Sequence, residues 1–106
     1  MTSQHFNNLT PKQAELLAML AEECGEVVQI VGKILRHGLI NFNPDNPPES
    51  NRELLAKELD DVTAVHAMLV GAGVIRKATS DPEAMKYIIA KKLRYAHHQI
   101  EMKNDI

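Results

Sequence analysis

The sequence predicts an all-α fold, an antiparallel helical bundle of three main helices completed by oligomerisation. Three observations predict it. Apolar residues recur every three or four positions over long stretches, and no segment alternates with the two-residue period of a strand. Each stretch opens with helix-capping chemistry. The apolar fraction is 44% but aromatics make up only 4% and Trp is absent, so the core is aliphatic, which suits packed helices. At 106 residues, the expectation is a single helical domain over residues 1–106.

Thr10-Pro11-Lys12-Gln13 combines a capping Thr, a Pro suited to the first helical position and a Gln three residues after the cap. The first helix therefore starts there. It runs to Arg36-His37-Gly38, where basic residues and then Gly mark a C-terminus, about seven turns later. NFNPDNPPES cannot continue a helix and is a loop. Ser50 and Glu53 open a second helix to about Gly71, with Gly73 as the alternative stop. After the connector GAGVIRKATSD, Asp81-Pro82, or Ser80 with Glu83, starts a third helix that continues to roughly Lys103.

A formal charge of -2 gives no electrostatic reason to expect a nucleic-acid polymer or an anionic membrane as partner. The single cysteine, Cys24, excludes an internal disulfide and cannot alone build a zinc site, so a reducing compartment is the default. The first residues, MTSQHFNN, carry no apolar signal core, and no uninterrupted apolar stretch is long enough to span a bilayer. A cytoplasmic protein is expected.

The acids break this packing pattern. Around the first helix, Leu16, Leu20, Val27, Ile30, Val31 and Ile34 share an arc, and Glu23 falls within it. Glu26 lies about 60° further round and Glu22 about 40° beyond that, toward solvent. On the second helix, Leu54, Leu55, Leu59, Val62, Val65 and Leu69 form the arc, with Glu58 near its centre and Asp61 on its flank. Asp60, Lys57 and Glu53 face away. A carboxylate turned toward a core needs protonation, a basic partner or a cation. Lys33 and Arg36 lie mostly outside the first arc. Lys92, within the arc of Met85, Ile88, Ile89, Ala96 and Ile100, is the one obvious inward cation.

Glu23 with Glu26, and Glu58 with Asp61, are spaced i,i+3, so each pair can reach one ion, and two facing pairs make a four-carboxylate cage. Hard oxygen ligands without His or Cys favour Mg²⁺ or Mn²⁺ over zinc. Such Mg²⁺ sites commonly complete their coordination with water and substrate phosphates, pointing to a nucleotide or another polyphosphate. The competing structural account is a helical interaction protein whose acids form salt bridges across an oligomer interface.

Glu23-Cys24-Gly25-Glu26, preceded by Glu22, and Glu58-Leu59-Asp60-Asp61 resemble the ExxE…ExxD signature of MazG-like, all-α nucleoside triphosphate pyrophosphohydrolases. The stretches EECGEVVQIVGKILRHGL and NRELLAKELDDVTAVHAML look like the short phage-type members, and the resemblance covers most of residues 14 to 70. It implies Mg²⁺-dependent hydrolysis of an NTP or dNTP to the monophosphate and pyrophosphate by a homodimer or homotetramer. By motif match Glu23, Glu26, Glu58 and Asp61 would be metal ligands. Glu22 and Glu23 would be catalytic, Glu22 as an additional ligand or as base for the attacking water. A narrower substrate, dUTP, dCTP or a phosphoribosyl nucleotide, fits the same scaffold. The 31 residues between Glu26 and Glu58 exceed the usual gap, and Lys91-Lys92-Leu93-Arg94 matches the family's C-terminal basic pattern only loosely.

Lys33, Arg36 and Lys92 are the candidate substrate-binding cations. Lys and Arg in a last turn also complement a helix dipole, as Arg36 and His37 do, and a surface Lys can snorkel. Asn41 and Phe42 are candidates to hold a base. His66 is expected to be a packing residue, His97-His98 a solvated helix end, and Cys24 a small core residue.

Overall fold

The computed structural model describes residues 6–41, 49–99 and 101–102. Its elements are all helices, α1 (Pro11–His37), α2 (Asn51–Gly71) and α3 (Pro82–Leu93). The chain divides into two compact units, Met1–Arg76 and Lys77–Ile106. Phe42, Ile100 and Lys103 lie outside the described residues.

The capping box of α1 forms as its sequence predicts. Thr10 Oγ1 accepts from the Gln13 amide at 3.1 Å, and Gln13 Oε1 accepts from the Thr10 amide at 3.0 Å. At the other end Gly38 takes φ 90°, a left-handed backbone open to Gly, and its N–H bonds the Ile34 carbonyl at 2.7 Å. The chain after it is then stitched to the start of α2. The Asn51 amide bonds Asn41 O at 2.9 Å, and the Arg52 amide bonds Leu39 O at 2.8 Å. The buried Asn51 side chain donates from Nδ2 to Gly38 O at 3.1 Å. Donors that a helix start leaves unpaired are thus satisfied by the carbonyls that follow α1.

Ser50 Oγ caps α2 through the Glu53 amide at 3.3 Å. The helix stops at Gly71, and Gly73, at φ 73°, serves as the left-handed residue after the cap rather than as the stop. The Gly73 amide bonds Val70 O and the Val74 amide bonds Leu69 O, both at 3.0 Å, a Schellman closure. It folds Val74 back onto the core.

α1 and α2 form an antiparallel hairpin, because Leu16 meets Val65 and Leu69 at one end while Gly38 meets Asn51 at the other. Leu16, Val65 and Leu69 are the buried centre, with Leu17, Met19, Leu20, Ala72 and Val74 packed around them. Fully burying a Leu contributes about 1.5–3 kcal/mol, so this end carries much of the hairpin's stability. The arcs drawn from sequence are wider than the packed strip, since Val31 is 38% and Leu59 48% exposed. One partner helix covers only part of a helical cylinder.

In the second unit, Asp81 Oδ1 caps α3 through the Glu83 amide at 3.1 Å, with Pro82 at the first position. The expected run to Lys103 is corrected, because α3 ends at Leu93. The Arg94 amide makes the last helical bond, to Ala90 O, and the Ala96 amide turns back to Leu93 O. Tyr95, His97 and His98, which follow, are weak helix formers. Leu93 is the buried residue of α3, while Met85, Ile88, Ile89 and Lys92 are exposed, so the expectation of an inward Lys92 is also corrected. Among the described residues, no helix is long and apolar enough to cross a membrane.

Candidate metal centre

The antiparallel register that seats Leu16 against Leu69 also sets Glu23 and Glu26 of α1 opposite Glu58 and Asp61 of α2. One carboxylate oxygen from each of the four lies within 4.8 Å of the others. Each helix supplies an i,i+3 pair, whose members sit one above the other on one face. Glu23, Glu26 and Glu58 are half-buried, and Asp61 is exposed. Glu22 is exposed at the edge, as its angular position predicts.

The electrostatics are those of an uncompensated cluster. Burial, then repulsion from Glu26 and Asp61, raises the Glu23 pKa above the ordinary carboxylate value. Glu58 is raised too, first by hydrogen bonding to the Glu26 carboxyl, then by burial and by the charges of Glu26, Asp61 and Glu23. The Oε2 atoms of Glu23 and Glu58 are buried and accept no hydrogen bond. A buried acceptor without a donor is costly unless a ligand satisfies it.

Beside the cluster is a cavity of about 290 Å³ lined by Glu26, Gln29, Ile30, Lys33, Leu54 and Glu58. It brings Lys33, a candidate substrate contact, to the acids. Gln29 was not among the candidates, although its position, three residues after Glu26 and four before Lys33, places it on their side of α1. Asn51, which clasps the hairpin, also went unnoticed. No periodicity marks a buried polar residue at a first turn.

No known family model, curated protein or solved structure matches this chain.

Other candidates fall elsewhere. Arg36 is exposed, ten residues beyond Glu26 or about 15 Å along the helix, and does not line the cavity. Lys92 belongs to the second unit and is exposed there. Cys24 is exposed, which corrects its expected core position. It lies about 80–120° around α1 from Leu16 and Ile30, the residues turned to α2. His66 is half-buried, as expected of a packing residue, and His97 and His98 are exposed. Asn41 is exposed, its carbonyl engaged by Asn51.

The donor set fits a hard divalent cation. It consists of four carboxylates with no His or Cys among them, and two of its oxygens have no hydrogen-bond donor.

Proposed function

We propose that this protein is a Mg²⁺-dependent nucleotide pyrophosphohydrolase, with Mn²⁺ as a possible substitute, that converts an NTP or dNTP to the monophosphate and pyrophosphate. One observation carries the proposal. Four acids from two helices converge within 4.8 Å, and Glu23 and Glu58 hold buried oxygens without donors. The MazG-like resemblance of the same four residues supports this assignment.

Glu23, Glu26, Glu58 and Asp61 would hold the metal, which when bound supplies Lewis-acid neutralisation of the phosphate oxygens. The chain's own residues account for the rest. The cavity beside the acids is open to a polyphosphate along Lys33, whose ammonium supplies counter-charge for non-bridging oxygens. Gln29 offers an amide donor and acceptor on the same wall, and Ile30 and Leu54 give apolar surface for a base or sugar. Glu22 is exposed beside the cluster and free of the cage, so the general-base role falls to it. Its carboxylate accepts the proton of the water that attacks the α-phosphorus. The bond between that phosphorus and the α–β bridging oxygen breaks, and pyrophosphate leaves with the bond's electron pair.

The test is incubation with a panel of NTPs and dNTPs plus Mg²⁺, following monophosphate and pyrophosphate by chromatography. Turnover of at least one nucleotide is expected, with loss in Glu58→Gln while the helical circular dichroism is kept. Absence of turnover across the panel, with thermal stability unmoved by Mg²⁺ or Mn²⁺, would overturn the proposal.

A further inference from the structure

Four polar side chains run in file along α1. Glu22, Glu26, Gln29 and Lys33 lie within about 60° of one another around the helix, and Glu22 and Lys33 stand about 17 Å apart along it. Glu26, one turn after Glu22, belongs to the acid cluster. The cavity opens on the other side of that cluster, because Glu26 and Glu58 line it while Glu22, Glu23 and Asp61 do not. Lys33 lines it about 10 Å further along α1 than Glu26. Among the described residues, Lys33 forms no ion pair with Glu26 or Glu58 although it shares their cavity. The site therefore has a direction, with an exposed carboxylate before the cluster and a cation after it.

That direction decides which part of a nucleotide enters the cavity, on the pyrophosphohydrolase reading from which this step follows. In an in-line displacement the attacking and leaving oxygens stand on opposite sides of the phosphorus. Glu22, assigned above to the attacking water, sets the attack on its own side of the cluster, so the α–β bridging oxygen departs toward Gln29 and Lys33. The β- and γ-phosphates then occupy the cavity. Helical side chains tilt toward the N-terminus of their helix, so Lys33 reaches back over this space, and Gln29 offers an amide donor from the same wall. The nucleoside is joined to a different oxygen of the α-phosphorus, off the in-line axis, which leaves the Ile30 and Leu54 surface to the sugar. A volume of about 290 Å³ is at the small end of ligand pockets, about 300–1,000 Å³, so the cavity takes part of a nucleotide rather than the whole.

We infer that this cavity is the seat of the departing pyrophosphate, held by Lys33 and Gln29, and that the site reads the phosphate chain while the base stays outside. Lys33 supplies charge and Gln29 supplies placement. Pyrophosphate is then the product that competes with the nucleotide through Lys33, and the monophosphate binds independently of it.

The test uses the full chain in Mg²⁺ and reads calorimetric binding of inorganic pyrophosphate and of a nucleoside monophosphate beside turnover. Lys33→Ala should weaken pyrophosphate binding about 10- to 100-fold, the usual worth of a hydrogen bond to a charged group, and Gln29→Ala should weaken it less. Lys33→Arg should restore most of the loss. Monophosphate binding should match the wild type in all three variants. Turnover by the wild type with pyrophosphate binding unmoved in Lys33→Ala would overturn the inference and leave the pyrophosphohydrolase reading standing. So would a Lys33→Ala loss confined to the monophosphate, which would seat the nucleoside in the cavity instead. A wild type that turns over no nucleotide would overturn the reading and the inference together.

Discussion

The two ends of the α1–α2 hairpin use the same backbone geometry for opposite purposes. At the end holding Leu16, Val65 and Leu69, the buried side chains are apolar and Leu69 is wholly buried. Two turns along α1, Glu23 takes the inward position, with Glu58 opposite it on α2, and one oxygen of each finds no donor. One end stabilises the fold, and the other places mutually repelling charges where packing would otherwise be. Such a division is affordable only because the first end, the helix caps and the Asn51 clasp hold the register that the second end strains.

Three substitutions put that contrast under test. The largest stability loss is expected at the packed end, where Leu69→Ala should cost about 2–5 kcal/mol, measured by urea unfolding. A loss below 1 kcal/mol would show that the apolar end is not what holds the hairpin. Next is the clasp. Asn51→Ala removes the donor to Gly38 O and should cost about 1–3 kcal/mol, with the greater effect if that carbonyl is left without a partner.

At the acid end the sign should reverse. Because the Glu23 and Glu58 pKa values are raised in the fold, the folded chain binds more protons than the unfolded one between the usual carboxylate range and those raised values. Metal-free stability from these groups therefore falls as pH rises through that window. Glu58→Gln should raise the melting temperature of the metal-free protein at neutral pH and do so less as the pH is lowered. Mg²⁺ should stabilise the wild type but not the variant. A destabilised Glu58→Gln at neutral pH would mean that the four acids support the fold rather than strain it.

The caps at Thr10, Ser50 and Asp81 were legible because each is a local pattern of side chain and backbone three residues or fewer apart. The pairing of Glu23 and Glu26 with Glu58 and Asp61 was legible because helical periodicity fixes which way each acid turns. What periodicity cannot say is how much of an apolar arc a partner covers. Cys24 and Val31 fall within or beside the α1 arc yet remain exposed, and the same error placed Lys92 inward on α3. Asn51 was hidden for a different reason, since its value depends on carbonyls ten and more residues away. Gln29 sits on a polar flank where nothing but the neighbouring cavity distinguishes it from a solvated side chain.

The bonds from Asn51 and Arg52 to the carbonyls of Asn41, Leu39 and Gly38 act as a rivet between the two helices. Because the rivet lies on the helix side of the Pro-rich connection, the position of Glu58 relative to Glu26 is set independently of that connection's length. Lengthening the chain between Asn41 and Ser50 should therefore leave the acid geometry undisturbed, read as unchanged Mg²⁺ stabilisation of the lengthened protein.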